Sequence, residues 1–293
     1  MSVVEGGPAS AVLQPRQLIV SLYGLYARQH DGWISVAAVV RLMAEMGVDE
    51  QAVRSSISRL RRRGLLDAER VDGAAGYRLT PLALEILAEG DARIFGRRRA
   101  TTADGWLLVV FSVPESERDK RHQLRALLTR MGFGTVAPGV WVAPGHLEGE
   151  TGDALRRIGL DGYAEVFHGQ HVLFGDPRAN VGRWWDLGAF HELYAAFIDR
   201  YGPLRERLAR AARIEEAAAF AAYVEMVTSW RQLPYADPGL PLELLPPDWN
   251  GAAAEQLFTE LRGLIAGPAG EHVTGALGTR GVARGGGDTT RRG

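Results

Sequence analysis

The 293-residue sequence has no cysteine, which removes disulfides, zinc thiolates and a cysteine nucleophile from consideration. Lysine is almost missing too: Lys120 is the only one, so the other cations are arginines. No apolar run approaches the roughly 18 residues of a transmembrane span, and the first dozen residues lack the basic-then-apolar order of a secretory leader. The expected location is the cytoplasm, with no membrane partner. Net charge is nearly absent at −1, so no global field selects a partner. Also missing are the Gly-x-Ser-x-Gly elbow, the His-Glu-x-x-His helix and the Walker lysine, which disfavours the common hydrolases and NTPases. With 46% hydrophobic and 24% charged residues, the chain is globular in composition. Its length predicts two or three domains.

The small net charge conceals an uneven distribution. Residues 1–100 hold 14 arginines against 11 acids, residues 101–275 hold 16 cations against 23 acids, and residues 276–293 hold 4 against 1. Arg54, Arg59, Arg61, Arg62 and Arg63 cluster, with Arg97, Arg98 and Arg99 following, which is the local patch a polyanion needs.

Apolar residues at helical spacing run through Leu18, Leu22 and Leu25, then Val36, Val39, Val40 and Met43, then Val53, Ile57 and Leu60, predicting three short helices. Gly47 is placed to close the second, and the Asp49 carboxylate to cap the third. Residues 65–71 and 77–80 then read as strands around a turn over residues 72–76. Helix, helix, helix, hairpin is the winged helix-turn-helix order. With Val53, Ile57 and Leu60 inward, the third helix exposes Gln51, Arg54, Ser55, Ser58, Arg59, Arg61 and Arg62, and Arg63 follows. Arginines reach phosphates or guanine edges, and small serines let the backbone approach a groove floor. Arg70 and Arg78 are expected to flank the hairpin tip and grip a neighbouring phosphate. The sequence points to double-stranded DNA.

Residues 106–113 form an apolar run of strand length. A helix over residues 117–131, a strand near 135–143, a helix over 152–158 and strands over 163–167 and 171–174 follow, a succession that suits a small ferredoxin-like sandwich. Gly132-x-Gly134-x-x-Ala137 is not a dinucleotide fingerprint, because Pro138-Gly139 follows it rather than a helix. His168 and His171 lack a third ligand and are read as structural, so no metal or cofactor is expected. Beyond residue 176, helices are predicted over residues 186–201, 214–230 and 252–265, with an irregular proline-rich segment over residues 233–249. Residues 276–293 are mostly Gly, Arg and Thr. The aromatic residues of this third are read chiefly as core. The overall expectation is an α+β chain: a flexible start (1–14), a winged helix-turn-helix domain (15–100), a ferredoxin-like α/β sandwich (101–175), a mainly helical domain (176–270) and a disordered tail (271–293).

Several stretches resemble the PaaX family of bacterial repressors of phenylacetic acid degradation operons. They are Ser21-Leu22-Tyr23-Gly24, Val53-Arg54-x-x-Ile57-x-Arg59-Leu60 with Gly64-Leu65-Leu66, Asp104-Gly105-Trp106, and Gly132-Phe133-Gly134. The most specific is Asp237-Pro238-x-Leu240-Pro241-x-x-Leu244-Leu245-Pro246-x-x-Trp249-x-Gly251. The similarity spans about residues 15–265. It implies a non-enzymatic, homodimeric repressor whose central domain is similar to a small CRISPR-associated endonuclease and mediates dimerisation. An acyl-CoA effector, phenylacetyl-CoA or a related thioester, then releases it from its operator. Such a ligand needs cations for its phosphates and an apolar slot, and Arg183, Trp184, Trp185, His191 and Tyr194 offer both. The related endonuclease carries an aspartate where this chain has Ser112, which argues against a metal-dependent nuclease. An acyl-CoA enzyme with a DNA-binding arm is the other alternative.

Overall fold

The computed structural model describes residues 13–171 and 174–278. Helix α1 (Pro15–Tyr26) leads into a short strand β1 (Trp33–Ser35), then helices α2 (Val36–Glu45) and α3 (Glu50–Arg62) and strands β2 (Leu66–Val71) and β3 (Ala74–Leu79). Helix α4 (Pro81–Phe95) precedes β4 (Trp106–Phe111), α5 (Arg118–Arg130), β5 (Gly134–Ala137), β6 (Val140–Pro144), α6 (Glu148–Arg157) and β7 (Ala164–Gly169). The remainder is helical: α7 (Pro177–Trp184), α8 (Leu187–Ala209), α9 (Glu216–Trp230), the single turn α10 (Leu233–Ala236) and α11 (Gly251–Gly278). The chain is therefore mixed α+β, with two antiparallel sheets ordered β1-β3-β2 and β5-β6-β4-β7. No helix among the described residues is long and apolar enough to cross a membrane.

The chain forms two compact units. The amino-terminal unit takes residues 13–88, 202–228 and 257–278, and the central unit residues 89–201 and 229–256, so α4, α8, α9 and α11 each contribute to both. In the amino-terminal unit, Ile19, Leu22, Val39, Leu42, Met43 and Val53 are fully buried. Tyr26 and Phe220 of α9 pack at 6.1 Å, and Thr228 Oγ1 lies 2.7 Å from Ser21 Oγ. In the central unit, α5 and α6 cover one face of the four-stranded sheet. Alternate residues Leu107, Val109 and Phe111 of β4 meet Leu124, Leu127, Leu128, Ala154 and Leu155 there, as the two-residue period of a half-buried strand requires.

The structure departs from the sequence expectation at several points, two of them with an identifiable cause. Residues 135–143 are a hairpin rather than one strand, because Pro138-Gly139 turns the chain, with Gly139 at φ 78°. Helix α11 runs through Pro268 instead of stopping there. Leu257, Leu261, Ile265, Ala269 and Val273, each four residues apart, are all buried, and this stripe outweighs the backbone hydrogen bond that proline removes. Residues 271–278, expected in the tail, are therefore helical, and residues 279–293 lie outside the described residues, as do residues 1–12. The strand expected over residues 171–174 falls partly on 172 and 173, also outside the described residues, while His171 and Phe174 are not in a strand. Helices α4 and α7 and strand β1 were not anticipated at all.

Candidate nucleic-acid interface

Local chemistry fixes α3 at both ends. Upstream, α2 ends in a Schellman arrangement: Val48 N donates to Met43 O at 3.0 Å and Gly47 N to Ala44 O at 2.9 Å, with Gly47 at φ 75°. Asp49 Oδ1 then accepts from Ala52 N at 2.8 Å and caps α3. At its far end the same arrangement recurs, Leu65 N to Leu60 O and Gly64 N to Arg61 O, with Gly64 at φ 68°. Val53, Ser56, Ile57 and Leu60 form the buried face. Gln51, Arg54, Ser55, Ser58, Arg59, Arg61, Arg62 and Arg63 are all exposed, so the structure gathers the expected set on one surface.

The partners of these arginines are light. Arg54 pairs with Glu50 one turn earlier, Nε to Oε1 at 2.7 Å. Arg59 reaches Ser55 Oγ at 3.3 Å, and the Arg61 guanidinium lies 5.8 Å from the Tyr77 ring centroid. Among the described residues Arg62 and Arg63 have no side-chain partner. Exposed i,i+4 pairs contribute only about 0.3–0.5 kcal/mol, so all five cations can be recruited by a polyanion at small cost.

The β2–β3 hairpin turns on two residues, Asp72 at φ 50° and Gly73 at φ 78°, the Asp-Gly geometry of a type I′ turn. Arg70 sits next to it, with Nη1 on Gly73 O at 3.1 Å. Arg78 does not flank the tip. It lies opposite Asp67 and Trp33 at the open end of the hairpin, away from the turn, and its guanidinium is taken by the Glu69 carboxylate and the Asp31 carbonyl. The hydrogen bond to Arg78 holds the Glu69 carboxyl below the usual range and raises Arg78 in turn. Gly76 lets Trp33 lie flat on the strand, since a Cβ there would sit 2.3 Å from the indole. An open groove of about 200 Å³ follows, lined by Val36, Arg70 and Tyr77 among others.

Arg97, Arg98 and Arg99 belong to the central unit, and two of them are turned inward to a buried acid. Asp237, 1% exposed, receives Arg97 Nη2 at 2.6 Å and lies 3.8 Å from Arg99 Nη1. Its other oxygen accepts from Gly239 N and Leu240 N, and Tyr194 Oη donates to Oδ2 at 2.8 Å. Burial alone would push the Asp237 carboxyl up, yet Arg97 and Arg99 outweigh it and hold the group below its usual range. For Arg97 burial works against the charge and Asp237 overcomes it. Only Arg98 is exposed, paired with Asp104. The sequence places Asp237 in a motif without revealing its role; its one signal is that it is the sole carboxylate of the apolar, proline-rich stretch 233–242.

Of the five residues expected to meet an effector, Trp184 and Trp185 touch each other and Trp106, and His191 and Tyr194 both pack on Trp249. Trp185 is buried and donates from Nε1 to Gly132 O at 2.8 Å, while Tyr194 belongs to the Asp237 network and packs on Trp249. His191 meets Asn250, and Arg183 is bound to Asn180. Trp184 is half-buried, edge-on to Trp106 at 5.5 Å. His168 and His171 diverge: the first holds Glu148 and the Asp104 carbonyl, the second Asn180. No cluster of metal-ligating groups occurs among the described residues.

Comparison with known proteins covers most of the described chain. The family model described as PaaX-like protein matches residues 14–82, that of the PaaX protein central Cas2-like domain residues 99–181, and that of the PaaX-like protein C-terminal domain residues 185–275. The transcriptional repressor PaaX of Escherichia coli (strain K12) is 27% identical over 253 residues, covering 85% of this chain and 79% of that protein. Among solved structures, the uncharacterized protein Rv0674 from Mycobacterium tuberculosis superposes with a TM-score of 0.58 at 22% identity, over 90% of this chain and all of the other, which speaks to the fold. With its three successive models matched in order, the chain belongs to the PaaX family.

Proposed function

We propose that the protein is a non-enzymatic, cytoplasmic transcriptional repressor of a catabolic operon that binds operator DNA through α3. The observation that carries this reading is the exposed arginine and serine face of α3, set beside a type I′ hairpin bearing Arg70. The segment α1, β1, α2, α3, β2, β3 is read as a winged helix-turn-helix within residues 15–100, with α3 in the major groove and the hairpin as the wing. Residues 101–175 are read as a ferredoxin-like domain. The succession β4-α5-β5-β6-α6-β7 and the antiparallel order β5-β6-β4-β7 support that reading. Residues 176–270 are read as a helical domain. Likeness to the Escherichia coli repressor supports repression as the outcome of binding.

Two further features complete the reading. The protein acts as a homodimer, since a two-fold molecule matches a palindrome with half-sites about one helical turn apart. An acyl-CoA such as phenylacetyl-CoA releases it, with Arg183 and Trp184 the outward-facing members of the expected effector set and Trp185 and Tyr194 behind them in the core. The test is fluorescence anisotropy on DNA from upstream of the chain's own gene, with the effector titrated in. Tight, salt-sensitive binding that an Arg54→Ala/Arg59→Ala double variant loses supports the DNA reading; undiminished affinity in a folded double variant ends it. If no acyl thioester from a short panel weakens the complex, the effector is wrong and the DNA reading stands. Light scattering at micromolar concentration that returned the 31.9 kDa monomer would remove the dimer.

A further inference from the structure

A cleft inside the central unit collects charge that neither the DNA-facing surface nor the Asp237 network uses. Arg93 of α4, Arg130 of α5 and Arg157 of α6 converge on it, with Glu89, Glu150 and Tyr235 on its walls and the buried side chains of Leu127 and Met131 beneath. Arg93 Nε donates to Glu150 Oε1 at 2.7 Å, and its guanidinium lies 5.3 Å from the Tyr235 ring centroid. Arg157 pairs with Glu89. Arg130 has no side-chain partner among the described residues, and only its carbonyl is used, by Arg93 Nη1 at 3.5 Å. Three arginines therefore line the cleft against two glutamates.

Two details bear on what this cleft can hold. The Arg93 side chain is 12% exposed, and its Nη2 is enclosed yet lacks a hydrogen bond of acceptable geometry, despite lying 2.5 Å from Glu150 Oε1. An enclosed donor left unmatched is costly. Second, about 40 Å³ between these groups is unfilled, room for about three water molecules at 10–15 Å³ each, or for one tetrahedral oxyanion. Such an ion supplies acceptors to Arg93 Nη2 and to Arg130 together, in the charge-assisted geometry that guanidiniums favour. Burial keeps the Tyr235 hydroxyl protonated, hence a donor.

We infer that this cleft is a binding site for a phosphate-type dianion, held by Arg93, Arg130 and Arg157 in competition with Glu89 and Glu150. A dianion is required because the ligand must better a carboxylate already in place; chloride carries too little charge and too few acceptors. The site uses none of the DNA-facing residues, and its existence does not depend on how DNA is bound.

The test is calorimetry on the full-length protein with inorganic phosphate and with glycerol 3-phosphate, against chloride at matched ionic strength. Both phosphates are expected to bind and chloride not to. Preference for glycerol 3-phosphate identifies the ligand as a phosphorylated metabolite, and preference for inorganic phosphate identifies the free ion. Arg130→Gln, at an exposed position, should weaken binding about tenfold, the worth of one charge-assisted hydrogen bond. Glu150→Gln should tighten it, because a competing carboxylate is gone. A purely structural clasp predicts the opposite pattern: Glu150→Gln lowers thermal stability and no variant changes phosphate binding. Equal heats for phosphate and chloride, or unaltered phosphate affinity in folded Arg130→Gln and Arg130→Lys, would overturn the inference.

Discussion

The arginines of residues 54–63 and those of residues 97–99 are nearly indistinguishable as strings of letters, and they perform opposite tasks. On α3 the Arg54 side chain is 62% exposed, and its neighbours are either unpaired or held by single weak contacts. At residues 97–99, Arg97 and Arg99 are 9% and 16% exposed and are bound by a carboxylate that is itself 1% exposed. The first group keeps its charge in water and available to a polyanion. The second has given up hydration for a fixed set of partners, and so belongs to the architecture. What separates them is chiefly one buried acid, Asp237, placed 140 and 138 residues further along the chain, joined at Arg99 by Glu255 at 3.4 Å.

The largest effect should come from removing that acid. Asp237→Ala leaves the Arg97 charge buried without a counter-ion, for which about 3–5 kcal/mol is typical, and urea unfolding should report a loss of that size. The pH dependence has a definite sign. The folded carboxyl titrates below its ordinary value, so its contribution is present above about pH 4 and is lost as pH falls through the folded value. Asp237→Asn should remove that acid limb. An Asp237→Ala protein as stable as the parent would show that Arg97 and Arg99 are solvated after all, and the contrast with α3 would collapse.

Next in size, and opposite in kind, is substitution on α3. Arg54→Ala should leave stability within about 0.5 kcal/mol of the parent, as exposed sites generally do. It should cost about 1–3 kcal/mol at the operator where the guanidinium makes a bidentate contact to guanine. Anisotropy on the operator and on unrelated DNA separates the two, since a base reader loses discrimination and a phosphate contact does not. If Arg54→Ala destabilised the fold as strongly as Asp237→Ala, α3 would have to be read as structural.

How much of this was legible in the sequence follows from how far apart the deciding residues lie. The ends of α3 were legible because Asp49, Gly47 and Gly64 act within a turn of themselves. The apolar stripe of Val53, Ile57 and Leu60 placed the basic face correctly for the same reason. Strand β1 was not legible: three residues, Trp33 to Ser35, become a strand only by pairing with residues 76–78 of β3. Nor was the depth of Arg97, whose partners Tyr194 and Asp237 come from distant parts of the chain, nor the passage of α11 through Pro268. Arg78 illustrates the limit at short range. Its spacing from the turn was known, but only the register with Asp67 shows that it is at the wrong end of the hairpin.

A smaller effect sharpens the α3 side. Arg62 and Arg63, unpaired at the end of the helix, should contribute as phosphate contacts alone. Each alanine substitution should lower operator and non-specific affinity alike and reduce the slope of log K against log salt by about 1. A slope unchanged in Arg62→Ala/Arg63→Ala places these residues off the DNA.

The smallest effect isolates the variable that the comparison leaves mixed, since Arg97 differs from Arg62 both in burial and in having partners. His168 has partners without burial: its side chain is 45% exposed, while its ring nitrogens lie 2.8 Å from the Asp104 carbonyl and 2.7 Å from Glu148 Oε2. The hydrogen bond to the Asp104 carbonyl, then that to Glu148, raises its pKa above the ordinary histidine value. A raised histidine stabilises the fold fully below its unfolded value near 6.5 and loses that contribution as pH rises through the folded value. Solvent screening keeps the contribution small. Proton NMR of the imidazole should therefore show a midpoint above 6.5 that moves down in Glu148→Gln, with no measurable change in thermal stability at pH 6. A midpoint at or below 6.5 would mean that these contacts do not persist in solution. A marked loss of stability in Glu148→Gln would mean that partners alone, without burial, suffice to make a charge structural, and the distinction between the two arginine clusters would then rest on pairing rather than depth.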